Sequence, residues 1–105
     1  ARIRGIDTAA AKTMPGVLAV ITAEDWTAEG LGEIPCVIPL QNRDGTDRAQ
    51  TPRGALAEGR VRHVGDPVAF IVAETREAAR DAAEAVIVEY DVLPAATDLA
   101  TAHLP

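Results

Sequence analysis

The residues that could carry acid–base chemistry are few. Glu89 and Asp91 lie two positions apart in "VIVEYDV", so on a strand both carboxylates would share one face. A carboxylate pair can act as general acid and base when a cleft gives its two members different environments. The surrounding sequence supplies no such cleft, and we therefore interpret Glu89 and Asp91 as part of a solvated outer face.

The candidate metal ligands and nucleophiles are equally sparse. His63 precedes a turn and has no second histidine, cysteine or acid at ligand spacing, so we expect it to pack or hydrogen-bond at a strand end. His103 lies near the end of the sequence and carries less information. Cys36, in "EIPCVIP", has no evident basic neighbourhood that would stabilise a thiolate, and we expect a small, buried apolar residue there.

Two glycine motifs suggest turns rather than phosphate binding. Gly30-Leu31-Gly32 resembles part of a dinucleotide fingerprint but lacks the third glycine, a preceding strand and a following helix. Gly65-Asp66-Pro67 is typical of a turn, in which we expect Asp66 to stabilise the backbone by hydrogen bonding. The sequence thus assigns no catalytic, no cofactor-binding and no metal-binding residue.

Composition narrows the class of protein. The chain has 105 residues, enough for one domain over 1–105, and its 3% aromatic content requires a core of Val, Ile, Leu and Ala. The net charge is −6 and Lys12 is the only lysine, which argues against nucleic acid and against an anionic membrane surface. A single cysteine permits no internal disulfide, and the sequence shows neither a membrane span nor a signal peptide. We therefore expect a cytoplasmic protein, and a first residue other than Met suggests a piece of a longer chain.

The elements that must position these residues follow from hydrophobic patterning and capping residues. An irregular segment at 27–58, with four glycines and three prolines, separates two regular parts of the chain. Its length indicates either a functional insertion or a surface that packs against polypeptide outside this sequence. Before it we predict a strand at 2–6, a short helix at 8–13 capped by Asp7 or Thr8, a buried strand at 17–22 and a helical turn begun by Thr22 with Asp25.

After the irregular segment the pattern is strand, turn, strand, helix, strand. We predict strands at 60–64, 68–73 and 86–92, a helix at 75–86 capped by Thr75, and a short final helix capped by Thr97 or Asp98. The helix has an apolar stripe of Ala78, Ala79, Ala82, Ala83 and Val86, and a polar face of Arg76, Glu77, Arg80, Asp81 and Glu84. The strand–helix–strand unit predicts a parallel, right-handed crossover, with 17–22, 68–73 and 86–92 in one sheet.

The regular unit resembles a known domain. The segment "GRVRHVGDPVAFIVAETREAARDAAEAVIVEYDVLPAATD" resembles the N-terminal domain of the molybdenum-cofactor-binding large subunit of the xanthine dehydrogenase/aldehyde oxidase family. It is most similar to the aerobic carbon monoxide dehydrogenase-like branch. The upstream run "ARIRGIDTAAAKTMPGVLAVITAEDW" is similar to the family's Ala-Arg-Ile, Ile-Asp-Thr and Met-Pro-Gly-Val pattern. One departure is Asp66, where many members carry Gln.

The resemblance implies an α+β fold, the α/β hammerhead, with a mixed sheet and a few helices packed on it. It implies a parent enzyme that oxidises a small carbon substrate at a molybdopterin centre, with iron–sulfur clusters and FAD on other domains or subunits. The family's catalytic glutamate, cofactor loops and active-site cysteine motif match no position here, Cys36 included. We therefore expect a structural domain that alone is inactive and binds no molybdenum cofactor, FAD or iron.

Two functions stay open at this point. The first is a non-catalytic domain of a molybdenum hydroxylase, with the rest of the large subunit and the iron–sulfur and FAD subunits as partners. The second is a stand-alone binding or protein-interaction module with the same fold. The resemblance implies that a further strand normally pairs with the first one, and the irregular segment adds apolar residues with no evident partner, so we expect the isolated chain to self-associate.

Overall fold

The protein is an α+β domain, as the sequence predicts. The structure is a computed structural model that describes residues 1–35, 37–38, 40–49 and 53–100, so that Cys36 and His103 lie outside the described residues. The described part contains four strands and three helices, in the order β1 (Arg2–Asp7), α1 (Ala9–Lys12), β2 (Val17–Thr22), α2 (Ala23–Ala28), β3 (Ala69–Ala73), α3 (Arg76–Glu84) and β4 (Ile87–Asp91).

The strands form two separate antiparallel pairs. β1 pairs with β4, and β2 pairs with β3. The expected parallel crossover and the single sheet holding 17–22, 68–73 and 86–92 are therefore wrong. The crossover rule applies to two strands of one sheet, whereas α3 carries the chain from β3 into the other sheet.

Small side chains form the core above one face of the β2–β3 sheet. Ala11 of α1 and Ala82 of α3 are fully buried, and Val20 of β2 is 4% exposed. Because alanine is small, both helices can lie close to the sheet and to each other. The half-buried residues packed against this cluster are Met14, Val17, Ile71, Ala85 and Val86.

The predicted faces of α3 are correct except at one position. Ala82 is buried, Ala78, Ala79 and Val86 are half-buried, and every member of the predicted polar face is exposed. Ala83 is exposed, so its place in the apolar stripe is wrong. A helix turns by about 100° per residue, which carries Ala83 away from the sheet, and Ala85 packs against the core instead.

Side-chain caps begin the helices largely as predicted. Thr22 and Asp25 form a reciprocal capping box, and the expected single turn becomes the six-residue α2. Thr75 Oγ1 accepts a hydrogen bond from the Ala78 amide at 3.1 Å, as expected for α3. For α1, Thr8 occupies the cap position without a side-chain bond, and Asp7 Oδ1 accepts from the Ala9 amide at 2.9 Å instead.

Two other predicted elements differ in the structure. The strand expected at 60–64 is wrong, because only Arg60 forms a bridge, to Arg2, before the chain enters a turn. At the other end, the chain up to Ala100 forms a turn in which Asp98 Oδ1 accepts from the Ala100 amide. The rest of the expected final helix lies outside the described residues.

The strands predicted to be buried are covered on one side only. Helices α1 and α3 lie on one face of the β2–β3 sheet, and Leu18 and Phe70 are 66% and 59% exposed. Within the irregular segment, Gln41 and Asp47 form an isolated bridge, while Leu56 is 8% exposed.

Candidate functional site

An open groove of about 640 Å³ follows the edge of β1. One wall is β1 itself, the second is α2 and the third is a short stretch of the irregular segment. Its lining residues are Ile3, Arg4, Gly5, Ile6, Thr22, Ala23, Glu24, Thr27, Ala28, Ala57, Glu58 and Gly59.

Backbone hydrogen bonds close the groove at the start of β1. The Ile3 amide donates to the Gly59 carbonyl at 2.9 Å, and the Val61 amide donates to the Ala1 carbonyl at 3.0 Å. The amino terminus of Ala1 donates in turn to the Val61 carbonyl at 3.0 Å. Gly59 has φ of 63°, a left-handed conformation that glycine adopts without strain. Beyond Ile3, this edge of β1 has no strand partner among the described residues.

The register of the β1–β4 sheet separates an apolar face from a polar one. Ile3 lies opposite Tyr90 and Ile6 opposite Val88, so the groove meets apolar side chains of β1. A bulge lies between Ile3 and Gly5, because β1 has one extra residue there, Arg4, relative to the consecutive partners Tyr90 and Glu89 of β4.

The carboxylate pair singled out in the sequence lies away from the groove. Gly5 is opposite Glu89, and Arg2 is opposite Asp91. An Arg4 guanidinium nitrogen lies 2.7 Å from Asp91 Oδ1, in an ion pair whose side chains are 64% and 43% exposed. Glu89 is exposed and neither carboxylate lines the groove. The arrangement is an ion-paired surface, without the contrast in environment that acid–base catalysis needs.

Asp66 stabilises a tight turn, as predicted. Its Oδ2 accepts a hydrogen bond from the Arg62 amide at 2.7 Å, and its own amide donates to the His63 carbonyl. Gly65, at φ of 91°, supplies the left-handed step of the turn. The hydrogen bond from the Arg62 amide is the main cause that holds the pKa of the Asp66 carboxyl below its ordinary value, against a smaller opposing effect of desolvation.

His63 belongs to this turn rather than to a strand. Its side chain is 70% exposed, Nδ1 lies 3.1 Å from the Val64 carbonyl oxygen and Nε2 lies 3.7 Å from Asp66 Oδ1. The expected hydrogen bonding is confirmed, whereas packing against a strand is not seen. Within the described ranges, no three His, Cys, Asp or Glu side chains gather where they could hold a metal ion.

The glycines at 30 and 32 have a structural role at the end of α2. Gly30 has φ of 71°, its amide donates to the Thr27 carbonyl at 3.0 Å, and the Leu31 amide donates to the Trp26 carbonyl at 3.3 Å. These two bonds are the Schellman motif that ends a helix. The Trp26 indole nitrogen donates to the Gly32 carbonyl at 3.1 Å. The glycine at position 30 thus serves to terminate α2.

Acidic groups lie at the rim of the groove. Glu24 stands in the first turn of α2, and Glu58 precedes Gly59. Neither carboxylate forms an ion pair within the described part of the chain, whereas Arg4, the basic residue in the lining, is paired with Asp91. The groove therefore combines apolar walls with an excess of negative charge.

Sequence reasoning did not identify this groove. Its three walls are far apart in the sequence, and the bond from the Ile3 amide to the Gly59 carbonyl joins two of them. The one available signal was the pair of isoleucines in the first strand, which indicated an apolar face but not what lies beside it.

No helix in the described ranges is long and apolar enough to cross a membrane.

Comparisons with known proteins agree on the fold and the family. The chain is 39% identical over 98 residues to the carbon monoxide dehydrogenase large chain of Afipia carboxidovorans, covering 93% of this chain and 11% of that protein. The quinoline 2-oxidoreductase structure from Pseudomonas putida 86 superposes with a TM-score of 0.82 at 36% identity, over 96% of this chain and 12% of that one. A Cu,Mo-CO dehydrogenase structure superposes with a TM-score of 0.78 at 38% identity, over 96% and 11% respectively.

The match is therefore to one small part of much longer proteins. The chain spans about one tenth of the length of the relatives that it matches. Across residues 1–94 it fits the sequence profile of the aldehyde oxidase and xanthine dehydrogenase a/b hammerhead domain, and the chain belongs to that family.

Proposed function

We propose that this chain is a non-catalytic structural domain of a molybdenum hydroxylase large subunit of the carbon monoxide dehydrogenase-like kind. The observation that carries the proposal is the match of residues 1–94 to the hammerhead domain family, together with relatives of which the chain covers about a tenth. A solved relative is named as a Cu,Mo-CO dehydrogenase, which supports molybdenum chemistry in the parent protein.

A non-catalytic role agrees with the surface of the domain. The described residues offer no set of ligands for a metal, and Glu89 and Asp91 form no cleft. The same fold also occurs in proteins named for quinoline and for carbon monoxide, two very different substrates. A domain shared so closely between them is better suited to supporting a structure than to selecting a substrate.

The cofactors and partners of the parent follow from this assignment. The parent oxidises a small carbon substrate at a molybdopterin centre, which supplies the oxidising chemistry when bound. The described residues do not fit that group, so its ligands lie on other parts of the large subunit. Iron–sulfur clusters and FAD belong to further domains or subunits, and the complex is cytoplasmic.

Extension of the reading frame tests the proposal. We expect additional cofactor-binding sequence in the same frame, and stoichiometric molybdenum in the purified full-length protein by metal analysis. A deletion variant of the full-length protein, from which residues 1–105 are removed, should be recovered in lower amount and with less molybdenum than the intact protein. A frame that holds only this domain, in a protein that captures an unrelated partner, would support the stand-alone interaction module and contradict the proposal.

A further inference from the structure

We propose that Asp44-Gly45 is a site of covalent modification, at which the aspartate isomerises to isoaspartate, and that Thr46 restrains this reaction. The site lies in the turn between the bridged residues Gln41 and Asp47 of the irregular segment. The inference concerns the chemistry of this turn, goes beyond the proposed function and does not rest on it.

Asp44 differs from the other aspartates in the residue that follows it. It is the only aspartate of the sequence that precedes a glycine. Isomerisation begins when the backbone nitrogen of the following residue attacks the aspartate side chain, and glycine has no Cβ atom to hinder that approach. A Cβ atom built on Gly45 would meet no atom within 4 Å, so no neighbouring group blocks the site. Asp44, Gly45 and Thr46 are exposed, which gives water access to the reacting atoms.

The reaction requires water as its only co-reactant. The Gly45 nitrogen forms a bond to Asp44 Cγ, the bond from Cγ to its hydroxyl oxygen breaks, and that hydroxyl leaves as water with the amide proton. Water then opens the resulting five-membered succinimide ring. Opening at Cγ restores aspartate, whereas opening at the backbone carbonyl carbon of Asp44 leaves the chain joined through the side chain, as isoaspartate. The reactive form is the protonated carboxyl, because only that form carries a hydroxyl.

Thr46 restrains the electrophile in this reaction. Asp44 Oδ1 accepts a hydrogen bond from Thr46 Oγ1 at 2.7 Å and another from the Thr46 amide at 3.0 Å. Both bonds favour the ionised carboxylate. The Thr46 hydroxyl first, and then the Thr46 amide, hold the pKa of the Asp44 carboxyl below its usual range, against a smaller opposing effect of desolvation. The protonated form is therefore scarce at neutral pH.

Asn42 restrains the nucleophile. The Gly45 amide donates to the Asn42 carbonyl at 3.0 Å, and the Asn42 amide donates to the Thr46 carbonyl at 2.8 Å. Asn42 Nδ2 also donates to Thr46 Oγ1 at 3.0 Å, which orients the hydroxyl that binds Asp44. Both reacting groups are thus engaged in hydrogen bonds, and the turn must open before they can meet. The other charged side chains of the turn are those of Arg43, Asp47 and Arg48.

The modification would change the turn itself. Isoaspartate places the Cβ atom of residue 44 in the main chain, so the backbone between Gln41 and Asp47 becomes one carbon longer. The bridge between these two residues depends on the length of the turn that joins them. Isomerisation would therefore alter the conformation of this part of the irregular segment.

Incubation of the full-length protein at mildly acidic pH tests the inference. Mass spectrometry with electron-transfer fragmentation distinguishes isoaspartate from aspartate at residue 44. We expect isoaspartate to accumulate severalfold faster in Thr46→Ala than in the wild type, whereas Thr46→Ser keeps the hydroxyl and should stay near the wild-type rate. The matched control is Thr13→Ala, which removes an exposed threonine hydroxyl that bonds to the Ala10 carbonyl at 2.9 Å and should leave the rate unchanged.

The pH profile of the reaction separates control of the carboxyl from a loosened turn. In the wild type the rate should increase as the pH falls towards the lowered pKa of Asp44, and in Thr46→Ala this increase should begin at higher pH. A synthetic peptide of residues 41–49 serves as the reference without the fold and should react fastest. The inference would be overturned by an absence of isoaspartate at residue 44 in Thr46→Ala. Equal rates in the wild type, Thr46→Ala and the peptide, or an equal acceleration in Thr46→Ser or Thr13→Ala, would overturn it as well.

Discussion

At the scale of single residues, Asp66 stabilises a turn through its carboxylate, as the Gly65-Asp66-Pro67 motif predicts. Its Oδ2 accepts from the Arg62 amide at 2.7 Å, and His63 Nε2 is 3.7 Å from its Oδ1. These partners favour the charged carboxylate, and they lower its pKa below the ordinary value of 3.8. The charged Asp66 side chain therefore helps to fix the conformation of the turn.

The lowered pKa of Asp66 predicts a pH dependence of this turn. Since the folded pKa lies below the unfolded one, the carboxylate stabilises the fold above the unfolded pKa. That contribution is lost as the pH falls below about 4 and through the folded pKa. We expect the hydrogen exchange of the Arg62 amide, followed by NMR, to accelerate over this range relative to its intrinsic rate.

Two substitutions of Asp66 separate its hydrogen bond from its charge. Asp66→Asn keeps a side-chain oxygen that can accept from the Arg62 amide, so the amide should remain partly protected at every pH. Asp66→Ala removes the acceptor, and the Arg62 amide should exchange quickly even at neutral pH. Equal protection of this amide in the wild type and in Asp66→Ala would show that the turn does not depend on the side chain.

The scarcity of ligand residues gives a second prediction at this scale. The described residues bring no three potential metal ligands together, and the sequence contains one cysteine and two histidines. Molybdopterin, flavin and iron–sulfur sites need several convergent groups. We expect the purified 105-residue chain to contain no molybdenum or iron by metal analysis and no flavin absorption band. Stoichiometric metal or a flavin spectrum would contradict this.

At the scale of elements, the sequence correctly predicted features that depend on neighbouring residues, namely how the helices begin and which face of α3 is buried. Thr22 with Asp25, and Thr75, begin helices because their side chains satisfy amides of the first turn. Helix α3 follows the alanine spacing, with Ala82 at its most buried point. The end of α2 at Gly30 is also local, since glycine accepts the left-handed conformation that the Schellman motif requires.

Strand partners could not be predicted in the same way, because pairing joins distant residues. The alternation in 86–92 indicated a strand, but nothing within it specified β1 rather than β3 as its neighbour. The pattern at 60–64 suggested a strand as well, yet Gly65 and the bond from the Arg62 amide to Asp66 favour a turn. The groove likewise joins residues that are distant in sequence, around Ile3, Ala23 and Glu58, so no local pattern could predict it.

The cap of α3 gives a prediction for one hydrogen bond. Thr75→Ala removes the acceptor for the Ala78 amide and should lower the free energy of unfolding by about 1 kcal/mol, measured by chemical denaturation. Thr75→Ser keeps the hydroxyl and should cost much less. If both variants lose the same stability, the methyl group of Thr75 rather than its hydroxyl is the important feature.

The two neighbouring alanines of α3 provide a test of the core. Ala82 has no exposed surface and packs with Ala11 and Val20, whereas Ala83 is exposed. Ala82→Asp would bury a charge without a partner and should cost several kcal/mol. Ala83→Asp has the same helix propensity change but stays in water, so its cost should be far smaller. Thermal denaturation of the pair measures this difference, and equal midpoints would show that Ala82 does not face the core.

At the scale of the whole molecule, the chain exposes more surface and is more extended than a compact monomer of its size. Its accessible surface is 8536 Å², whereas a folded monomer of 11.0 kDa exposes about 5600 Å². The radius of gyration is 17.4 Å, compared with about 13 Å for a compact domain of this length. The excess of about 2900 Å² is larger than the roughly 800 Å² that each partner buries in a standard interface. This is consistent with a domain that packs extensively against other polypeptide.

The same exposed surface leads to the expectation that the isolated chain self-associates. Leu18 and Phe70 are exposed on the β2–β3 sheet, and Leu31, Ile34, Val37 and Leu40 of the irregular segment are between 49% and 81% exposed. Exposed apolar groups of this kind associate when no partner covers them. The net charge of −6 opposes association, and salt screens that repulsion. Light scattering over a concentration series should therefore show a mass above that of the monomer, increasing with protein concentration and with ionic strength.

Phe70→Lys should reduce the mass, whereas Glu84→Gln on the polar face of α3 should not reduce it. A strictly monomeric mass at high protein concentration and high salt would contradict the prediction, and would mean that the apolar segment covers its own sheet in solution.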